Sequence, residues 1–486
     1  MAFSLPLPLS LLALIAALSL PSPAASTPSS SCSSVPPPLR LDCHPAPNAT
    51  QNECLRNNCC WSPSDVASLP WCFHPATAGY AMVSTPTWSR DGVSARLRLK
   101  SAGPFPQDIP DLLVSVSFDS NTRVRVRITD ANAARWEPPD VVRANCGSNP
   151  CGAADPLLDV SFVADPFGFA VTRRDDGSVI FNSSAPSVAQ PFSNLIYSDQ
   201  FLSLSSSLPP SAKVYGLGEQ IAPLNLPIAG PAGQKYTLFA KDQGTPQHSP
   251  AGGSQTYGSY PFVLVGDAKG RAHGIMLLNS NTMDVILTDA GAATGSITYR
   301  TTGGILDLFF FAGPKPLDVT RDLSATLGFP ALPPYWGLGF HLCRWGYKDI
   351  NETAAVVSAM RAAQLPHDVM WNDIDYMNQY LDFTSDAHRY PMQHMRSFVD
   401  DLHAHGQHYV MITDPGISST QPHGAYPPLD EGVAGDVFIN MSGKQLVGKV
   451  WPGLVYYPDF FRPSTLAWWR NQIGSFHDEL DFDGMW

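Results

Sequence analysis

The stretch Asp368-Val369-Met370-Trp371-Asn372-Asp373-Ile374-Asp375 reads as a short buried strand that delivers two carboxylates at its C-terminal end. Strand and helix alternate on both sides of it. Upstream, Trp336 to His341 forms a short apolar strand, and Asn351 to Ala363 a helix with Ala354, Val356, Val357, Met360 and Ala363 along one side. Downstream, Met395, Phe398, Val399 and Leu402 recur at helical spacing, Gly406 is placed to end that helix, and His408 to Thr413 follows as a strand. A third helix opens at Pro463, with Leu466, Trp469, Ile473 and Phe476 facing inward, and leads to a last strand, Phe482 to Trp486. Such alternation implies parallel strands joined by right-handed crossovers. Trp345, Asp373, Asp375 and Asp414 then fall just past strand ends, which in a (β/α)8 barrel is the catalytic edge. A doubly wound sheet also fits the alternation, but no glycine-rich phosphate loop follows any of these strands.

Between the third strand and the third helix, Asp414 to Phe461 is rich in aromatics and proline and lacks helical period, so a long loop is expected there. It contains Gly448-Lys449-Val450-Trp451-Pro452-Gly453. A sugar site needs such residues: a flat aromatic face stacks on the C–H face of a pyranose, and fixed carboxylates accept from its hydroxyls. Asp373 and Asp375 are equally compatible with a helix cap or a surface pair.

Before this region, residues 77–315 carry strand signals. Val93, Ala95, Leu97 and Leu99 alternate with polar residues, and Val124, Val126 and Ile128 alternate with Arg123, Arg125 and Arg127. Period two with one polar face means half-buried strands, and the arginines read as a solvated face. The expected architecture is a β-sandwich.

The N-terminal residues decide the compartment. Leu11 to Leu20 is an apolar run too short to span a bilayer, and the small residues Ser22 to Ser26 follow it. Residues 1–25 therefore read as a signal peptide, although its first residues lack Lys or Arg. No later apolar run is long enough for a transmembrane segment. Residues 21–38 are rich in Ser and Pro and read as a linker. Six cysteines, Cys32, Cys43, Cys54, Cys59, Cys60 and Cys72, then crowd a stretch with little apolar content, which needs disulfide staples or a metal. Sequence alone allows fifteen pairings. A zinc site is the competing reading, weakened by the adjacency of Cys59 and Cys60. Cys146 and Cys151 flank a turn-rich loop that a local disulfide could close, which leaves Cys343 as a packed or half-buried free thiol. Sequons at Asn48, Asn182, Asn351 and Asn440 are candidate glycosylation sites in a secreted chain. A net charge of -12 argues against nucleic acid and anionic membrane surfaces as partners.

Two resemblances sharpen these readings. The cysteine spacing, with Arg40 three residues before Cys43 and Trp61 directly after Cys60, resembles the P-type trefoil domain over residues 26–76. That resemblance implies the disulfide pairs Cys32–Cys60, Cys43–Cys59 and Cys54–Cys72. The segments His341-Leu342-Cys343-Arg344-Trp345-Gly346-Tyr347, Trp371-Asn372-Asp373-Ile374-Asp375-Tyr376-Met377, Ile412-Thr413-Asp414-Pro415, Lys449-Val450-Trp451-Pro452-Gly453 and Phe482-Asp483-Gly484-Met485-Trp486 together resemble glycoside hydrolase family 31. With the trefoil in front, the module order is that of the family's lysosomal and intestinal α-glucosidases.

The resemblance implies a multidomain chain: a small disulfide-rich trefoil, a β-sandwich, and over residues 316–486 the first half of a (β/α)8 TIM-type barrel. It implies retaining hydrolysis of an α-glucoside oligosaccharide or polysaccharide, without metal or organic cofactor, in the secretory pathway, outside the cell or in a vacuole or lysosome. Asp373 would accept from the non-reducing glucose, with Trp345, Ile412, Trp451 and Trp486 lining the pocket and Asp242 contributing from the sandwich. Ile374 and Tyr376 resemble the glucosidase version of their motif rather than that of the family's α-xylosidases. The family's nucleophile stands two residues beyond the position of Trp486 and its acid/base on a later strand, so the expectation is an N-terminal portion of an α-glucosidase that holds no catalytic carboxylate. A non-catalytic secreted sugar-binding protein is the alternative of a different class. Three features are expected to be decoys: the histidines His403, His405 and His408; Asp414, beside the site but ordering its loop; and Asp483, which precedes its strand's end and points away.

Overall fold

The computed structural model describes residues 32–486, apart from 33–34, 36–39, 41, 45–47, 66–68, 76–78, 90–91, 101–104, 106, 140, 143–152, 185–194, 229–232, 241–253 and 290–294. The expected signal peptide, the Cys146–Cys151 pair and Asp242 lie outside the described residues. The chain divides into two compact units, Met1–Phe329 and Pro330–Trp486.

The first unit opens with the cysteine-rich module. Helix Gln51–Arg56 starts in a reciprocal cap: Thr50 accepts from the Glu53 N–H, and Glu53 accepts from the Thr50 N–H at 2.9 Å. The disulfides join Cys32 to Cys60, Cys43 to Cys59 and Cys54 to Cys72, and they replace the apolar core that so short a segment cannot build. The sulfurs of Cys43, Cys59 and Cys72 come within 4.8 Å of one another because two bridges run side by side, and each is already bonded.

A β-rich domain follows. One large sheet runs from Lys213–Ile221 through Ser254–Gly266, Ala272–Leu277, Leu306–Phe311, Arg123–Asp130, Asp111–Ser120 and Gly92–Leu99 to Tyr80–Met82. A five-stranded sheet, from Leu195–Tyr197 to Gln234–Leu238, shares its core, which includes Val114, Val126, Ile275, Val285 and Leu308. Val124, Val126 and Ile128 face that core, but the arginines between them are not simply solvated. Arg123 is buried, pairing with Asp322 at 3.4 Å and donating to Thr326, while Arg125 meets the buried Asp307 at 2.6 Å. The face they occupy is partly covered, and a cation there needs a carboxylate partner. The cover comes partly from helix Pro316–Leu327, whose Val319 and Leu323 pack on Phe262, Phe309 and Phe311. This helix therefore belongs to the first unit, and the boundary expected at residue 316 lies at 329/330.

In the second unit, four parallel strands pair in sequence order: β1 (His341–Leu342), β2 (Val369–Asn372), β3 (His408–Met411) and β4 (Gly484–Met485). The expected strand at Trp336 is a 3-10 turn over Tyr335–Leu338, and pairing starts only at His341, the last residue of the expected stretch. Helix α1 (Ile350–Ala362) is capped by Asp349, which accepts from the Glu352 N–H at 2.9 Å. Its buried residues are Ile350, Thr353 and Val357; of the expected side Val357 is buried, and Ala354 and Val356 pack half-buried against the same core. Thr353 turns inward because the fully buried Asn372 amide on β2 donates to its hydroxyl at 3.2 Å. Helix α2 (Met392–Ala404) buries Met395, Phe398, Val399 and Leu402 as its periodicity predicts.

The segment between β3 and the last helix is not a plain loop. It holds helix α3 (Pro427–Ala434), a hairpin at Asn440–Met441 and Lys444–Gln445, and a three-stranded sheet of Ile417–Ser418, Gly453–Tyr456 and Val447–Val450. Helix α4 (Pro463–Glu479) widens its buried face toward this insertion: Thr465, Trp468 and Gln472 are buried, while of the expected face Phe476 is buried, Trp469 and Ile473 pack half-buried, and Leu466 is exposed. Trp468 packs 5.8 Å from Phe438, Thr465 donates to the Val437 carbonyl at 3.1 Å, and Gln472 donates to Glu431 at 2.5 Å. Among the described residues, no helix is long and apolar enough to cross a membrane.

Candidate functional site

The C-terminal ends of β1 to β4 converge on one edge, and each delivers one expected site residue. Past β1 the chain turns through Gly346, whose φ of 100° suits glycine. The Gly346 N–H donates to Asp375 Oδ2 at 2.8 Å, which anchors the turn and leaves the Trp345 indole 64% exposed. Past β2, Asp373 Oδ1 accepts from the Ile374 N–H at 2.6 Å, capping the 3-10 turn Ile374–Tyr376. The capping reading of Asp373 therefore holds for one oxygen, and the second has no hydrogen-bond donor among the described residues.

Past β3, Ile412 is buried and its N–H donates to the Asn372 carbonyl at 3.1 Å. Trp486 at the end of β4 is stitched to the same strand: its N–H donates to the Met411 carbonyl, and its carbonyl accepts from the Thr413 N–H, both at 2.9 Å. Its indole is 54% exposed. Trp451 comes from the insertion, at the turn between Val447–Val450 and Gly453–Tyr456, and stands 6.3 Å from Trp345 with the ring planes 32° apart. Two exposed indoles thus face outward at one rim, free to take a flat apolar surface between or upon them.

One residue absent from the sequence-derived set joins them. Trp371 lies 5.7 Å from Trp486, edge to face at 61°, and its indole N–H donates to His341 Nδ1 at 2.9 Å. The signal was available, since Trp371 and Asp373 are two apart on a strand and share a face. Ile374 and Tyr376, which carry the glucosidase resemblance, are both buried, and Tyr376 Oη donates to the Ile412 carbonyl at 2.8 Å. Tyr376 thus holds the backbone that presents Ile412.

The electrostatics separate the acids. Burial, with the Asp373 charge nearby, raises the Asp375 carboxyl above the usual range, although the Gly346 N–H offsets part of this. Cys343 is exposed rather than packed, and local desolvation together with Asp373 and Asp375 pushes its thiol up to about 11. At neutral pH it is a thiol and not a nucleophile. Asp483 sits at the opposite end of the sheet. It accepts from His403 and His408, each at 2.8 Å, and from the Tyr409 N–H. The three histidines flank the N-terminal end of β3, away from the site edge. Of the sequons, Asn440 lies on an exposed hairpin, Asn48 is exposed, and Asn351 is exposed in α1, although its Thr353 is buried.

Comparison with known proteins identifies the modules. Residues 330–486 match the model of the glycosyl hydrolases family 31 TIM-barrel domain, and residues 113–285 that of the glycosyl hydrolase 31 N-terminal galactose mutarotase-like domain. Residues 32–75 match the P-type trefoil domain. The chain is 40% identical over 460 residues to the lysosomal alpha-glucosidase of Rattus norvegicus, covering 93% of this chain and 45% of that protein. It is 36% identical to the intestinal sucrase-isomaltase of Oryctolagus cuniculus over 92% of this chain and 24% of that protein. It is also 36% identical to alpha-xylosidase 1 of Arabidopsis thaliana, over 88% of this chain and 47% of that one. A glucosidase II alpha subunit crystal structure shares the fold at a TM-score of 0.68 and 21% identity, covering 81% of this chain and 49% of that one. The chain thus spans about half the length of the first of these relatives.

Proposed function

We propose, given that the chain belongs to glycoside hydrolase family 31, that its second unit supplies the sugar-holding part of a retaining α-glucosidase site. The substrate class is the non-reducing terminal α-linked glucose of malto-oligosaccharides, starch or glycogen. The observation that carries this reading is the rim itself: Asp373, with one oxygen unengaged by the described residues, shares one sheet edge with Trp345, Trp451 and Trp486. A carboxylate that has spent one oxygen on a backbone N–H is fixed in orientation, and its other oxygen accepts from adjacent sugar hydroxyls. The indoles supply the apolar faces that the C–H surface of a pyranose stacks on.

Retaining hydrolysis needs two carboxyl groups about 5 to 5.5 Å apart across the scissile bond, one attacking the anomeric carbon and one first protonating the leaving oxygen and then activating water. On this reading the nucleophile stands two residues past the position of Trp486 and the acid/base on a later strand. On this reading the 486 residues bind part of a sugar and do not cleave it. The disulfide-bonded trefoil supports passage through the oxidising secretory pathway, with a lysosome, vacuole or the cell exterior as the destination.

Two measurements test the proposal. The 486-residue polypeptide, purified from a secretory host, releases no glucose from maltose; clear turnover contradicts the placing of the nucleophile. Reading the transcript past the Trp486 codon finds an Asp codon two positions on. An immediate stop instead favours a non-catalytic sugar-binding protein. The 36% identity to an α-xylosidase makes that activity the rival within the family. An enzyme carrying these residues prefers an aryl α-glucoside to the α-xyloside, and the reverse preference contradicts the substrate assignment.

A further inference from the structure

The imidazole of His341 has no part in the chemistry above, yet two hydrogen bonds of fixed direction tie it to the site. β1 pairs with β2 in parallel with His341 beside Val369, so the side chains of His341, Val369 and, two residues on, Trp371 stand on one face of the sheet. On that face His341 Nδ1 meets the Trp371 indole nitrogen at 2.9 Å. The other ring nitrogen, Nε2, meets the Gly337 carbonyl of the preceding 3-10 turn at 3.1 Å. An indole N–H only donates, and a carbonyl only accepts. Nδ1 is therefore bare and Nε2 carries the proton, so the two partners select one tautomer of the ring.

This pairing limits what each ring does. With both nitrogens engaged, His341 has no atom left for a sugar hydroxyl or for proton transfer. The Trp371 N–H is engaged as well, so its indole offers the site apolar surface and no donor. On β4, two strands away, Trp486 meets the same indole edge to face at 5.7 Å. The imidazole is itself confined, since Trp336 packs 6.3 Å from it on the turn that supplies the Gly337 carbonyl.

We propose that His341 is a positioning residue: it fixes the Trp371 indole as a wall of the sugar site, through the acceptor that the Nε2–H tautomer leaves at Nδ1. The inference deepens the sugar-site reading and rests on it for its consequence. Without the acceptor the indole turns about its side-chain bonds, Trp486 loses its neighbour, and the pyranose loses part of its apolar seat.

Glucose affinity, measured by ligand-observed NMR titration of the 486-residue chain and its variants, tests this. His341→Leu removes the acceptor and weakens glucose about fivefold, the effect of losing one neutral hydrogen bond. His341→Asn sets an amide oxygen near the former Nδ1 and restores affinity to within about twofold of wild type. In the Trp371→Phe background, which lacks the indole N–H, His341→Leu causes no further loss. Wild-type affinity in His341→Leu, equal losses in the Asn and Leu variants, or a full His341→Leu loss on top of Trp371→Phe overturns the inference.

Should the variants misfold, the wild type itself carries the test. In isotope-labelled protein at neutral pH, the His341 ring shows a bare Nδ1 and a protonated Nε2, and the Trp371 indole proton exchanges slowly with solvent. A proton on Nδ1, or fast exchange of the indole proton, overturns the inference. Neither readout needs sugar. A wild type that shows both signatures and binds no glucose contradicts the sugar-site reading and leaves the His341–Trp371 tie standing.

Discussion

The Gly346 N–H donates to Asp375 Oδ2 at 2.8 Å, and through this one bond the strand end carrying Asp373 holds the turn that presents Trp345. Asp375 is 7% exposed, so the bond is shielded from competing water. Replacing Asp375 by Ala leaves a partly buried N–H without its acceptor and costs about 1 to 3 kcal/mol of stability. The same change frees Trp345, so sugar affinity should fall along with the urea midpoint. A variant with unchanged midpoint and unchanged affinity removes Asp375 from this role.

Trp345 and Trp451 meet at 6.3 Å across two separate segments, so their contributions to a stacked sugar are coupled. Each Ala variant is expected to weaken binding by about 1 kcal/mol, roughly fivefold, and the double variant by less than the sum. A maltose titration followed by tryptophan fluorescence reads this. Strict additivity shows that the two rings do not share a ligand face.

Arg125 and the buried Asp307 pair at 2.6 Å in the first unit. Asp307→Ala leaves a half-buried guanidinium uncompensated and is expected to lower stability by about 3 to 5 kcal/mol. Thermal unfolding checks this, and a loss under 1 kcal/mol means the arginine simply turns to solvent.

Asp483 supplies a pH prediction. Burial raises its carboxyl, but the hydrogen bonds from His408, the Tyr409 N–H and His403 outweigh this and hold it below the ordinary range. A depressed carboxyl contributes stability that is present above the unfolded value near 4 and is lost as pH falls through the folded value. Asp483→Asn should therefore be destabilised at pH 6, with the gap to wild type closing below about pH 4. A gap that stays constant with pH contradicts the arrangement.

Much of the fold could be read from residue patterns, and the exceptions share a cause. The face of α2 was legible because only apolar side chains pack there. The faces of α1 and α4 were legible only in part, because Thr353, Thr465 and Gln472 are buried to satisfy polar partners on other elements, which periodicity of apolar residues cannot reveal. The insertion after β3 hid its helix and strands for a related reason: its pieces are too short to show a period, and they cohere through Ile417, Phe438 and Trp468. Of the site, the positions past each strand end followed from topology. Trp371 needed strand parity, and Asp375 needed the tertiary contact that gives a buried acid its partner.

The most direct test of the central claim is a ligand-observed NMR titration of glucose into the 486-residue chain and its Asp373→Asn variant. The wild type should bind glucose saturably and more tightly than xylose, and Asp373→Asn should weaken glucose at least tenfold, about the 1.4 kcal/mol expected for loss of one charge-assisted hydrogen bond. Equal glucose affinity in the two proteins, or a preference for xylose in the wild type, contradicts the account.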